Sequence, residues 1–349
     1  MSDSPAARGR ADLIPLLGKI TEGEDLTIAE AETAFDAFMD GSASEIQMAA
    51  LLAGLRTKGV VPAEVAGGVR ALRKAMVPVS ASDPDSLVDT AGTGGGSVTT
   101  FNISTAAALV AAAAGVRMAK HGNRSFTSQC GSADVLEALG VRIDLTPERM
   151  GAILDQVGIV FMFAPLLHPA MRWVAPVRRG LGLTPIMNIL GPLTNPASAR
   201  RQVVGVADPH LVSLIVQSLE ALGHVRAVVV HGSPGMDELS PTGPTYVAEL
   251  VDGRVSEREV TPASLGLEPH PLEGLRGGTP ADNAALVLRV LEGKEGGGPR
   301  SAVVMNAGAA IYVSGRSGSL RDAVGEAAEA LGSGAALRTL HALADASHA

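Results

Sequence analysis

Three stretches of this chain carry residue types whose spacing suits the handling of a phosphorylated ligand. In Val88–Asn123, glycines at 92, 94, 95 and 96 follow a short apolar run, and Asn102-Ile-Ser-Thr105 opens a long alanine helix. Glycines there let backbone N–H groups approach an anion with no Cβ in the way, and the helix turns its positive N-terminal end to the same point. That combination suits phosphate or pyrophosphate, although a plain tight turn would use the same glycines.

The second stretch runs Lys120-His-Gly-Asn-Arg-Ser-Phe-Thr-Ser-Gln-Cys-Gly-Ser-Ala-Asp134. Lys120 and Arg124 supply positive charge, Asn123 an amide, and Ser125, Thr127, Ser128 and Ser132 hydroxyls. A loop with this donor density, directly after a buried-type strand, sits at the C-terminal edge of a sheet, where α/β proteins bind ligands; it suits a sugar phosphate, and a polar surface loop is the plainer alternative. The third is the pair Asp237-Glu238 beyond the run Ala227–Val230. Adjacent carboxylates are often only solvated, but beside a pyrophosphate they are what Mg²⁺ prefers, since a hard cation takes one or two carboxylates plus substrate oxygens and water. Arg178, on an expected helix, offers a guanidinium fork able to pair with a carboxylate in two places.

These residues need elements to position them. Residues 1–80 read as a helical domain: Thr27-Ile-Ala-Glu30 and Ser44-Glu-Ile-Gln47 are capping boxes, Gly41 is a stop between them, and Pro62 marks a further helix start. Ile28, Ala31, Phe35 and Phe38 fall on one helical face, and Ile46, Ala49, Leu52 and Leu55 on the next. Such short helices bury little alone and need the rest of the chain or a second subunit to cover them, and a homodimer through this part is expected. After the turn-rich Ser80–Ser86, residues 85–349 read as an α/β catalytic domain. Strands are expected at Leu87–Thr90, Arg117–Lys120, Val141–Leu145, Ile159–Phe163, Gln202–Val206, Ala227–Val230 and Ala302–Met305, alternating with helices around a mainly parallel sheet. The segment 166–182 is expected to be helical, with Pro169 and Pro176 at helix starts, and to cross back to the small domain. The tail from Leu320 to Ala349 reads as one or two surface helices.

Composition bounds the partners. The chain has 349 residues, a net charge of −8 and 3% aromatics, so its core is aliphatic and no basic stripe exists for nucleic acid. Cys130 is the only cysteine, which excludes an internal disulfide and fits a reducing, cytoplasmic setting; its role is read as packing. The longest apolar run, Ala106–Val116, is too short to span a membrane, and the scattered histidines exclude a zinc site.

Taken together, GTGG at 92–95, TFNIST at 100–105, KHGNR at 120–124, GSADVLEALGV at 131–141, HPAM at 168–171, VRR at 177–179, GPLTNP at 191–196 and DELS at 237–240 resemble the anthranilate phosphoribosyltransferase family, in order and along essentially the whole chain. The resemblance implies a small α-helical domain on a large α/β domain with a nucleoside phosphorylase-like fold, dimerisation through the helices, and an enzyme of tryptophan biosynthesis. It implies that Gly92, Gly95, Gly96, Thr100, Asn102, Ile103, Ser104 and Thr105 contact phosphoribosyl pyrophosphate. The loop Lys120, His121, Gly122, Asn123, Arg124, Ser125, Phe126, Thr127 and Ser128, together with Ser132, would contact it too. By the same resemblance Ser104, Asp237 and Glu238 hold Mg²⁺. Anthranilate meets Gly92, Asn123 and Arg178, with His121, Gly191 and Pro192 along its path. Lys120, Asn123 and Arg178 are the residues expected to serve catalysis.

Two positions depart from the family pattern. Gly96-Ser97 stands where the family usually has Asp-Gly, which removes a carboxylate near the expected cation. Gly182-Leu-Thr-Pro-Ile-Met-Asn188 replaces a commoner Arg-Thr-Ile-Phe-Asn ending. A pyrimidine nucleoside phosphorylase has a related fold, but the Lys-His-Gly-Asn-Arg block and the Asp-Glu pair stand against it. Non-enzymatic, nucleic-acid-binding relatives would be expected to show basic surface and damaged substrate motifs, and neither is present.

Overall fold

The computed structural model describes residues 11–96, 98–125, 129–182 and 186–349. The described residues open with four helices: α1 (Ile14–Thr21), α2 (Ile28–Met39), α3 (Glu45–Lys58) and α4 (Pro62–Ala75). Both capping boxes form, with Thr27 accepting from the Glu30 N–H and Ser44 from the Gln47 N–H, and Pro62 occupies the first turn of α4. The inward face of α3 is Met48, Leu51, Leu52 and Leu55; Ile46, expected on that face, is 82% exposed. A further helix, α1, packs on α3.

The α/β part follows as β1 (Val88–Gly92), α5 (Ile103–Ala113), β2 (Met118–Gly122), α6 (Ser132–Ala138), α7 (Pro147–Val157), β3 (Ile159–Phe163), α8 (Ala164–Leu167), α9 (Met171–Leu181) and α10 (Met187–Leu190). Next come β4 (Arg201–Gly205), α11 (Leu211–Ala221), β5 (Arg226–Gly232), β6 (Thr245–Val251), β7 (Arg254–Val260), α12 (Pro280–Leu291), α13 (Gly297–Ser314), α14 (Leu320–Gly332) and α15 (Ala335–His348). The sheet runs β3-β2-β1-β4-β5-β6-β7, with β1 to β5 parallel and β6 and β7 antiparallel. Strand residues alternate between two cores: Val228 and Val230 face the one built on α5 and α13, while Ala227 and Val229 face the one shared with α11 and the helical bundle. Val174 and Val177 of α9 lie in that second core, so this segment packs on the bundle.

Three sequence expectations are corrected, and one hairpin had no expectation at all. Ala302–Met305 is the buried middle of α13, because a fully apolar run has no period to tell strand from helix. Val141 and Ile143 alternate inward as in a strand, but the Arg142 N–H donates to Ser347 Oγ at 2.9 Å and no ladder forms. Pro176 sits inside α9 rather than at its start. The hairpin β6–β7 was not expected, since β7 is exposed along nearly its whole length. Its signal was Asp252-Gly253, whose φ angles of 48° and 76° make the tight turn.

Candidate active site

The sheet order reverses between β1 and β4, from which the chain builds outward in both directions. A crevice at the C-terminal ends of two such strands is where open α/β sheets bind ligands. Here Gly92 and Gly205 end β1 and β4 in register, and Asp237 lies across both. A Cβ on Gly92 would stand 2.5 Å from Asp237 Oδ2, and one on Gly205 would overlap the Asp237 carbonyl. The cradle N–H of Gly94 donates to Asp237 Oδ2 at 3.2 Å. The glycine loop and the acidic pair, 143 residues apart, thus form one site.

Glu238 is more deeply set. Its Oε2 is buried with no hydrogen-bond partner, and burial, reinforced by Asp237, holds its carboxyl well above the usual carboxylate range. Lys120, on β2, is 4% exposed and donates to the Thr90 carbonyl at 2.8 Å, to Thr90 Oγ1 at 3.1 Å and to Ser104 Oγ at 2.8 Å. Burial lowers the ammonium to about 8, while Asp89 and Glu238 pull the other way. Ser104, in the first turn of α5, therefore has its hydroxyl set by Lys120 and donates to Thr90 Oγ1 at 3.3 Å.

An orphaned buried carboxylate oxygen, an adjacent aspartate and an oriented serine hydroxyl form a hard-oxygen set that fits Mg²⁺. Among the described residues no cluster of three or more His, Cys, Asp or Glu could hold a metal on such side chains alone. A cation here would complete its shell with substrate oxygens.

Around this centre, Gly95 and Gly96 continue the cradle, and Thr100 bridges to Arg276 beside the start of α5. Ile103 and Thr105 are buried. Asn102 donates to the Cys130 carbonyl at 3.3 Å and accepts from Asn283 at 2.9 Å and from the Cys130 thiol at 3.2 Å. Burial pushes that thiol up to about 11, in keeping with a packing role. Gly122 ends β2 against Ser132, whose hydroxyl donates to the Asn123 carbonyl at 3.2 Å. The N–H groups of Ser125 and Gly131 both donate to Asp134 Oδ2, at 3.3 and 2.8 Å. Arg124 is taken up by Asp134 at 2.7 Å and Glu137 at 2.6 Å, over the Phe163 ring, so its charge is shared with two carboxylates. Phe126, Thr127 and Ser128, like Ser97, lie outside the described residues.

On the far side, His121 Nε2 meets His168 Nε2 at 3.2 Å. Burial lowers the two imidazoles to about 3 and about 4, so both are neutral near pH 7. The His121 N–H donates to Asp89 Oδ1 at 3.1 Å; Gln202 donates to Asp89 Oδ2 at 3.3 Å and to the Pro192 carbonyl at 2.6 Å. Gly191-Pro192 is thereby tied to the His121 strand. Asn195 donates to the Ala119 carbonyl at 2.8 Å, and Arg73 of α4 donates to that of Leu193 at 2.9 Å, which fixes the same turn from two sides. Arg178 is half-buried, held below its usual range by burial, and donates to Asn188 Oδ1 at 2.8 Å.

Several of these supports were not expected from sequence. Asp89 had a legible signal, a lone charge inside an apolar strand. His168 and Asn195 lie in the HPAM and GPLTNP motifs, which name no partner for them, and Gln202 carries no local pattern that distinguishes it.

The chain matches two family models: the helical bundle domain of a glycosyl transferase family over residues 14–76, and the a/b domain of that family over residues 84–337. It is 49% identical to the anthranilate phosphoribosyltransferase of Symbiobacterium thermophilum, over 95% of this chain and 97% of that one. To the enzyme of Rubrobacter xylanophilus it is 51% identical, over 93% and 94%. Among solved structures, the anthranilate phosphoribosyltransferase of Thermus thermophilus superposes with a TM-score of 0.90 at 44% identity, covering 95% of this chain and 99% of that one. The Saccharomyces cerevisiae enzyme, in complex with PRPP and Mg, superposes with a TM-score of 0.87 at 25% identity, covering 96% and 98%.

Proposed function

Since this chain belongs to the anthranilate phosphoribosyltransferase family, we infer that the crevice between β1 and β4 is where its reaction takes place. The reaction transfers the phosphoribosyl group of 5-phosphoribosyl 1-pyrophosphate to the amine of anthranilate, giving N-(5-phosphoribosyl)anthranilate and pyrophosphate, in tryptophan biosynthesis. The observation that carries the site is Asp237 lying over the paired strand ends Gly92 and Gly205.

In this reading the cradle from Gly92 to Gly96 and the start of α5 receive the pyrophosphate, and the loop from Lys120 to Ser132 receives the sugar phosphate. Asp237, Glu238 and Ser104 hold Mg²⁺, which when bound neutralises charge on the departing pyrophosphate. Lys120 acts from behind, setting the Ser104 hydroxyl and adding positive field where the leaving group gains charge. Arg178 grips the anthranilate carboxylate. The neutral His121–His168 pair and the Gly191-Pro192 turn line the approach, so the only cation assigned to the anthranilate side is the one matched to its carboxylate. The amine is already a nucleophile, and positioning it at the anomeric carbon suffices without a general base.

Ile14, 69% exposed, and Ile46, 82% exposed, stand on helices that pack together. They support a homodimer through the bundle, and a monomer in light scattering at micromolar concentration would oppose it. The single cysteine fits a cytoplasmic enzyme; among the described residues no helix is long and apolar enough to cross a membrane. The test of function is to mix protein, anthranilate, PRPP and Mg²⁺ and follow loss of anthranilate fluorescence. Loss that requires all four components is expected, and a flat trace would overturn the reading.

A further inference from the structure

Asn306 lies in the middle of α13, 5% exposed, among apolar neighbours. Its amide is fully engaged: Oδ1 accepts the Leu239 N–H at 2.9 Å, and Nδ2 donates to the Leu239 carbonyl at 3.0 Å and to the Ala302 carbonyl at 2.8 Å. Leu239 directly follows Glu238. Holding both its N–H and its C=O fixes the peptide planes on either side, and the first of these sets the direction of Glu238. The acidic pair is also seated closely on β5, since a Cβ on Gly232 would collide with the Glu238 carbonyl. Glu238 Oε2 has no hydrogen-bond partner of its own, so the backbone held by Asn306 helps to aim this carboxylate.

We propose that Asn306 is a positioning residue for the cation and pyrophosphate half of the reaction, a side-chain clamp on the backbone of Leu239 that holds Asp237 and Glu238 over the β1–β4 crevice. The inference rests on the functional reading above. Groups that orient a metal ligand from behind typically govern about 10- to 100-fold in metal affinity or activity when removed.

The test is Asn306→Leu, read by electron paramagnetic resonance of Mn²⁺ bound in the presence of PRPP and without anthranilate. Mn²⁺ affinity should fall about 10- to 100-fold, the KM for PRPP and the Mg²⁺ requirement should rise, and the KM for anthranilate should stay. A folded Asn306→Leu protein that binds Mn²⁺ with PRPP as the wild type does would overturn the proposal, as would equal losses for both substrates. Should that variant fail to fold, Asn306→Asp keeps the acceptor for the Leu239 N–H but sets a carboxylate oxygen against two carbonyls, and the same shifts are expected. Hydrogen exchange on the wild type decides independently of any variant. The Leu239 amide should exchange as slowly as the core of α13, and fast exchange would refute the clamp. Wild-type protein that binds Mn²⁺ with PRPP yet yields no product with anthranilate would defeat the functional reading and leave these binding measurements to judge Asn306.

Discussion

Glu238→Gln should make the free protein more stable and the enzyme inactive. The Glu238 Oε2 is buried with no hydrogen-bond partner, and burial plus Asp237 hold the carboxyl well above its ordinary value of 4.5. With the folded value above the unfolded one, the native state keeps a proton that the unfolded chain has lost. Stability therefore falls as pH rises from 4.5 through the folded value, and above it the buried charge is a standing penalty. Glutamine does not ionise, and its amide can donate to Asp237. An unsatisfied buried polar group costs about 1–3 kcal/mol, more when charged, and each kcal/mol moves Tm by roughly 2–4 °C in a domain of this order of size. Without ligand, near pH 8, the variant should melt at least about 2 °C above wild type, and the gap should narrow towards about pH 5. Saturating PRPP and Mg²⁺ should reverse the order, because ligand at about 100 times Kd adds about 2.7 kcal/mol to a protein that binds it. Thermal melts at both pH values, with and without ligand, check this. A variant that melts below wild type near pH 8, or that gains the same ligand shift, would refute the reasoning.

Arg178→Ala should raise the KM for anthranilate about 10- to 100-fold, the loss of a charge-assisted contact worth about 1.5–3 kcal/mol, and leave the KM for PRPP alone; an unchanged anthranilate KM would remove Arg178 from that role. Gly96→Asp brings a Cβ to 3.1 Å from the Gly235 carbonyl and 3.2 Å from Ala207, so the cradle yields slightly. The variant's Mg²⁺ optimum should differ from that of wild type, and superimposable Mg²⁺ titrations would count against any role for this position in metal handling. His224 is buried and neutral, lowered to about 3 mainly by burial and then by Arg73, so its contribution is present above about pH 6.5 and is lost as pH falls towards 3. Denaturant titrations should show wild type losing roughly 1.4 kcal/mol per pH unit near pH 5 through this one group. A His224→Gln variant should lack that share, and identical pH dependence in both would dispose of it.

The parts of the site that were legible in the sequence are those built from backbone chemistry or from contiguous motifs. Glycines 92, 94, 95 and 96, the start of α5 and the Asp237-Glu238 pair each declare a local conformation or charge, and the sheet brings them together at its switch point. Long-range pairing was not legible. Nothing near Arg124 in sequence announces that Asp134 and Glu137 share its charge, because they lie on α6 and meet it only when the loop folds back. Nor does anything local link Gln202 to Pro192 and Asp89, since that network exists only once β1 and β4 are neighbours.

The misreading of Ala302–Met305 and the missed role of Asn306 have one origin. A run buried on all sides carries no periodic contrast, so neither its element type nor its outlier stands out by pattern. Within α13 nearly every residue from Gly298 to Ile311 is buried, and a polar side chain there must find partners or destabilise the fold. An asparagine in the otherwise apolar stretch from Ala302 to Ile311 therefore points to a backbone that needs holding. The backbone it holds is that of Leu239, next to the carboxylate whose own oxygen is left unpartnered. A core helix with no exposed chemistry is in this way part of the active-site architecture, because it fixes from below a loop whose upper side must stay open to the ligand.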